Sequence, residues 1–236
     1  MKIALAPYEF VNGDMDHNLS QLERGLMDAR GRAELVCFGE AFLQGFDGPN
    51  WDYAHDRALA VSTDSPMMER ICGMTARYGV DLLFGYLERD GDDLYSSCAL
   101  IQEGKLLHNY RRISKGWKER FVTDPRYREG EETGDFLYRG QTFRIALCGD
   151  LWVAPDRFCT QGVLLWPVYV NFSLAEWAEE ESEYAKQAAM AADRALLVNS
   201  LSRNPDSHGG AFDFCRGVVR QRAEYGVQKL LIAEIG

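Results

Sequence analysis

Residues 143–152 read FRIALCGDLW, and this stretch sets how the rest of the chain is understood. Phe143, Ile145, Ala146 and Leu147 make an apolar run broken only by Arg144, the composition of a short buried strand. The run delivers the chain to Cys148, and Gly149 and Asp150 follow at once. In α/β folds, residues at the carboxyl ends of strands are rigidly held yet face an opening, which is where ligand sites form. Two other strand-like runs end in the same manner. Residues 34–39 lead into Glu40, and residues 105–113 run toward Lys115 and Lys118. A carboxylate, an ammonium and a thiol meeting at one edge supply the parts of a covalent mechanism. Thiolate is scarce at neutral pH because a free thiol titrates near roughly 8.5. A glutamate can take the proton and return it to a leaving amine, and a lysine can stabilise developing negative charge. Gly149 is expected to permit a sharp strand-to-turn conformation and to offer its backbone N–H to an oxyanion.

Outward from this stretch the chain alternates strands and helices. KIALAP reads as an opening strand, and Leu19, Leu22, Leu26 and Met27 recur at helical spacing. A second helix is predicted over 66–78, with Pro66 at a favoured first-turn position. VDLLFGYLER, YSSCALIQEG and KLLHNYRRIS read as strands joined by hairpin turns. A short helix near APDRFCTQG, a strand over GVLLWPVYVNFS, a helix over SEYAKQAAMAADRA and a strand at LLVNSLS follow. GGAFDFCRG and VQKLLIAEIG are expected to be two strands joined through a turn around 224–226. This order suggests a layered α/β fold with mixed sheets.

Composition bounds the function. The 236 residues suit a single domain over 1–236, with 46% hydrophobic and 26% charged residues. A net charge of −10 argues against a nucleic-acid partner, and the densest basic stretch, YRRISKGWKER at 110–120, is local. The first ten residues lack a signal-peptide pattern, and no apolar run approaches a membrane span. The six cysteines show neither a C-x-x-C pair nor zinc-ligand spacing, so no metal site is expected and a reducing, cytoplasmic setting fits.

The ordered blocks resemble the nitrilase superfamily, the carbon–nitrogen hydrolases with a Glu–Lys–Cys triad. ELVCFGEAFLQGFD resembles the glutamate block, GKLLHNYRRIS the lysine block and FRIALCGDLW the nucleophile block. KIALAP with GDMDHN resembles the opening of the family's fold, and ALLVNSLS and GGAFDFCRGVV its closing strands. The resemblance implies a four-layer αββα sandwich with two mixed β-sheets. It also implies a thioester acyl-enzyme on Cys148, Glu40 as general base and neither metal nor organic cofactor. Its implied partner molecules are a small amide or N-carbamoyl substrate and a second copy of the chain, dimerised through the helical layer after the nucleophile. Since the chain stops at AEIG, a tail-exchanged dimer is not expected.

The lysine departs from the family pattern. A tyrosine and a basic residue precede the catalytic lysine there, which lays Arg112 rather than lysine after Tyr110 and Arg111. An arginine keeps the charge but replaces a compact ammonium with a planar fork. Lys118 is the first choice for the role, since Gly116 and Trp117 could fix its approach; Lys115 and Arg112 stay open. Glu119 is the candidate for the family's supplementary glutamate. Asp150 is read as a cap for the helix after the nucleophile. Trp152, Phe172 and Trp177 are candidates to line a substrate pocket, although aromatic residues are more often core. The acidic run at 176–187 reads as an exposed first helical turn, and His208 as a solvated loop residue. Rival readings are a ligand-binding relative that has lost its chemistry, nitrile hydrolysis by the same triad, and a redox thiol partnered by Cys159.

Overall fold

The computed structural model describes residues 1–236. The chain runs β1 (Lys2–Leu5), α1 (Met15–Ala29), β2 (Leu35–Cys37), α2 (Tyr53–Leu59), α3 (Pro66–Tyr78), β3 (Asp81–Asp90), β4 (Asp93–Gln102) and β5 (Lys105–Arg111). It continues through β6 (Phe136–Tyr138), β7 (Gln141–Ile145), α4 (Asp150–Val153), a 3₁₀ turn (Pro155–Phe158), β8 (Val163–Val168) and α5 (Leu174–Ala189). Strands β9 (Arg194–Arg203), β10 (Asp206–Cys215), β11 (Val218–Arg222) and β12 (Leu231–Glu234) complete it. Two six-stranded sheets result, ordered β12-β1-β2-β3-β4-β5 and β11-β10-β9-β8-β7-β6. In each, the central strands run parallel (β1-β2-β3 and β7-β8-β9) and the flanking pairs are antiparallel.

Side-chain alternation explains the layering. Along a strand successive residues face opposite sides, and here both sides of the first sheet are apolar. Ile3, Leu5, Leu35, Cys37, Leu83 and Leu100 join a core of 36 buried residues shared with the second sheet. Their neighbours Ala4, Val36, Leu82, Phe84, Ala99 and Ile101 face the other way, against Leu19, Leu22 and Leu26 of α1 and Ile71 and Met74 of α3. On the second sheet the outer cover is α5, whose Trp177, Tyr184 and Ala188 are buried. The expected αββα sandwich is the observed one.

Local signals place the helices. Asp14 caps α1 by accepting from the His17 N–H at 2.9 Å, and Ser65 caps α3, which Gly79 then closes in a left-handed conformation. Helix α5 begins at Leu174 rather than near Ser182, because Ser173 and Glu176 form a reciprocal capping box. The acidic run therefore lies inside the helix on its outer side. Helix α2 and strands β6 and β11 were not expected; β11 is exposed along its length, so no apolar alternation marks it. The ending also differs. Strand β10 pairs with β11, and β12 leaves that sheet to pair antiparallel with β1.

Candidate active site

Glu40 follows β2 and is fully buried. Its backbone N–H donates to Val168 O, 3.2 Å away at the end of β8, so the glutamate turn is tied to the opposite sheet. On the other side the Gly85 N–H donates to Gly39 O at 3.1 Å. A β-carbon on Gly85 would fall 2.5 Å from Ala41 N and 2.7 Å from Glu40 Cα, so only glycine lets β3 approach this closely. Ala41 itself takes a left-handed φ of 50°.

Cys148 leaves β7 with its N–H bonded to Pro167 O at 2.9 Å, and its carbonyl accepts from the Trp166 indole at 3.0 Å. The strained residue of this turn is the cysteine. Its φ is 39°, whereas Gly149 has φ −66° and ψ −7°, which any residue adopts. The expectation that Gly149 supplies the turn's conformational freedom is thus corrected: the bend sits on Cys148 itself, as strain often does at functional sites.

Arg112, just past β5, completes the cluster. Its guanidinium is 3% exposed and donates from Nη1 to Glu40 Oε1 at 2.7 Å and from Nε to Ser114 Oγ at 2.7 Å. Ser96 Oγ donates to the same Glu40 oxygen at 3.1 Å. Glu40 Oε2 is buried and carries no partner. The Cys148 thiol lies 3.7 Å from Tyr169 O and feels both charged groups. Its pKa is pushed up to about 12, first by burial and then by the nearby negative charge of Glu40. Arg112 and the Tyr169 carbonyl contact pull the other way. The resting sulfur therefore holds its proton at neutral pH, beside a carboxylate able to take it. For Arg112, burial opposes the charge, but Glu40, Cys148 and Asp150 more than offset this and hold its pKa above the usual arginine value.

Asp150 ties the parts together instead of capping α4, whose N-cap position is Gly149 with no side-chain bond. Fully buried, it accepts from the N–H groups of Ile113 (3.1 Å) and Ser114 (2.8 Å) on Oδ1. On Oδ2 it accepts from the Tyr110 hydroxyl (2.6 Å) and the Leu147 N–H (2.9 Å). One carboxylate thus fixes the Leu147–Cys148 turn relative to the segment carrying Arg112. The Gly149 N–H and Arg112 Nη2 have no acceptor in the protein, and both lie at this turn.

The structure brings Glu40, Arg112, Cys148 and Gly149 together and leaves the lysines elsewhere. Lys118 pairs with Glu129 at 2.8 Å and donates to Tyr127 O. Lys115 and Glu119 are exposed. The reason is the chain path: after Arg112 the segment 113–130 turns outward, and its return bonds Gly130 N to Arg112 O at 2.8 Å. Trp152 is 45% exposed and packs edge-on against Tyr184, outside the cluster. Phe172 packs on Trp177 and Tyr184, and Trp177 is core. His208 lies on β10 and not in a loop. Cys159 is exposed with its sulfur near Met190 O. Ser96 and Ser114 escaped the sequence reading. Ser96 reaches Glu40 only because β4 pairs between β3 and β5, and nothing local to it signals that.

The carbon-nitrogen hydrolase family profile matches residues 2–155, well over half of the chain. The chain belongs to the carbon-nitrogen hydrolase family. Among curated relatives of this chain, an arylacetonitrilase from Aspergillus niger is 29% identical over 160 residues, 64% of this chain and 46% of that protein. A glutamine-dependent NAD(+) synthetase from Thermotoga maritima is 26% identical over 156 residues, 64% of this chain and 26% of that protein. The matched region spans less than half the length of these relatives. Among solved structures, an amidase from Nesterenkonia sp. superposes with TM-score 0.79 at 16% identity, covering 100% of this chain and 93% of that one. A CN-hydrolase superfamily protein from Xanthomonas campestris gives TM-score 0.79 at 17% identity, covering 100% and 90%. These structures share the sandwich fold. No helix of the chain is long and apolar enough to cross a membrane.

Proposed function

We propose that this carbon-nitrogen hydrolase cleaves a non-peptide C–N bond of a small amide or N-carbamoyl compound through a thioester on Cys148. The observation that carries the reading is the convergence at one turn: Arg112 is bonded to Glu40 at 2.7 Å and its Nη2 lies against Gly149, the residue after Cys148, whose thiol lies 3.7 Å from Tyr169 O. As Sγ attacks the carbonyl carbon, its proton passes to Glu40 and the C–S bond forms. The oxyanion is met by the Gly149 N–H and the free Nη2 edge of Arg112. Collapse breaks the C–N bond, and the proton on Glu40 goes to the leaving amine. Water, deprotonated by Glu40, then cleaves the thioester and restores the thiol. Lys118, Lys115 and Glu119 have no part in this scheme. Its support is geometric: Arg112 stands at the pattern's lysine position and is the cation that touches Glu40.

The test is ammonia or amine release from a panel of small amides, N-carbamoyl compounds and nitriles. Turnover of an amide or carbamoyl compound, abolished by Cys148→Ala, together with an acyl-sized mass increase on the trapped enzyme, supports the reading. Turnover confined to nitriles favours the second reading, which the arylacetonitrilase and other nitrilase relatives recommend. Binding without turnover of any panel member assigns the chain to ligand binding. The reading includes one domain over 1–236, supported by β12 closing onto β1. It includes a reducing, cytoplasmic setting, supported by free cysteines throughout. It also includes a homodimer, supported by the exposed Trp152 and Val153 beside α5 and read out by sedimentation.

A further inference from the structure

Gly149 poses a question that its backbone does not answer. With φ −66° and ψ −7°, it stands in the right-handed helical region, where alanine is at least as comfortable. What excludes a side chain is Arg112. A β-carbon built on Gly149 would fall 2.6 Å from Arg112 Nη2 and 3.3 Å from Ser114 Oγ. A second glycine, Gly116, approaches the same Nη2, and its β-carbon would stand 3.2 Å away. The guanidinium cannot simply swing aside, because Glu40 and Ser114 each hold it at 2.7 Å and the side chain is 97% buried, being 3% exposed. A lysine at this position ends in one nitrogen and has no second arm to accommodate.

We infer that Gly149 and Arg112 are a matched pair: the missing side chain after the nucleophile is what admits an arginine as the cation of this site. The absent Gly149 side chain then positions the guanidinium, beside the backbone N–H that the proposed function gives to the oxyanion. The slot keeps Nη2 against the nucleophile turn, with its hydrogens unclaimed by the protein, beside the unclaimed N–H of Gly149 itself. An arginine serves here only because its broad fork has been given room. The inference deepens the proposed function and rests on it for the role of Nη2, but the pairing itself is steric.

The experiment is a double-mutant cycle on the full chain: wild type, Gly149→Ala, Arg112→Lys and the combination. Each protein is read by its thermal unfolding midpoint and by the iodoacetamide alkylation rate of Cys148 at pH 9, with peptide mapping. In the arginine background, Gly149→Ala should lower the midpoint and slow Cys148 alkylation by about tenfold, as the guanidinium is forced from the sulfur. In the lysine background the same alanine should change either readout less than about twofold or by about a degree. Failure of Gly149→Ala to fold, with the combined variant folding like Arg112→Lys, supports the pairing equally. Equal penalties in both backgrounds, no penalty in either, or failure of both alanine variants to fold would overturn it. Neither readout needs a substrate. A panel without turnover therefore removes the proposed function while the cycle still decides the pairing.

Discussion

Asp150→Asn removes one charge and leaves the side-chain shape almost unchanged, which makes it the sharpest probe of how the site is held. The carboxylate accepts four hydrogen bonds, two on each oxygen, with no exposure to water. An asparagine can keep its oxygen toward Ile113 and Ser114, whose two N–H groups demand an acceptor. Its NH₂ then faces the Tyr110 hydroxyl and the Leu147 N–H. The hydroxyl can rotate and accept, but the Leu147 N–H cannot, so one buried donor is orphaned against another. An unsatisfied buried group costs about 1–3 kcal/mol, and bonds to a charged acceptor are roughly twice as strong as neutral ones. The sum is a destabilisation of about 2–4 kcal/mol. Tyr110→Phe deletes only the hydroxyl bond and should cost about 1–2 kcal/mol, partly absorbed in the double variant because the two groups are in contact. Urea denaturation of the three variants gives these differences from the shift in midpoint at constant slope. Loss of stability should be accompanied by slower hydrolysis, since Ser114 and the Leu147–Cys148 turn lose their common anchor. A measured cost below about 0.5 kcal/mol for Asp150→Asn would refute the assignment of Asp150 as the tie between the two segments.

Gly85→Ala would drive a β-carbon against three backbone atoms of residues 39–41 and should destabilise by about 1–3 kcal/mol, with a disproportionate loss of activity, checked by unfolding and turnover together. Glu40→Gln removes the negative charge that helps raise the Cys148 pKa to about 12 and leaves Arg112, which lowers it. The thiolate fraction at neutral pH should therefore increase and alkylation of Cys148 accelerate, while hydrolysis falls by about 10²–10⁴ because the base is gone; slower alkylation would contradict the electrostatic account. Lys115→Ala and Lys118→Ala should retain hydrolysis within a few-fold, whereas Arg112→Ala should lose about 10²–10³. The reverse ranking in kcat/KM would return the cationic role to a lysine.

The sandwich was legible because both its faces are written in the strands. A sheet buried on two sides needs apolar residues at odd and even positions alike, and KIAL, LVC and VLLWPV have them. Glu40 and Cys148 were legible for a related reason, as polar groups at the ends of such runs stand out against their neighbours. Strand β11 was not, because its formation depends on the β10 edge and not on any burial of its own. Strand β12 was recognised as a strand, but its pairing with β1 was not, since an apolar run specifies that it will be buried without specifying against what.

The cation shows the division most clearly. The family resemblance pointed to a basic residue from 110–120 and laid Arg112 on the position where a lysine was expected. It could not choose, because reach depends on where the chain goes after β5, and that is set by Asp150 binding Ile113 and Ser114 from 37 and 36 residues away. Only the folded chain places Nη1 on Glu40, sends Lys118 to Glu129 and shows that Gly149 is a space and not a hinge. Sequence determined which residue types were present and which would be buried. Tertiary structure decided which of them meet, because hydrogen-bond and steric contacts between distant segments have no local signature.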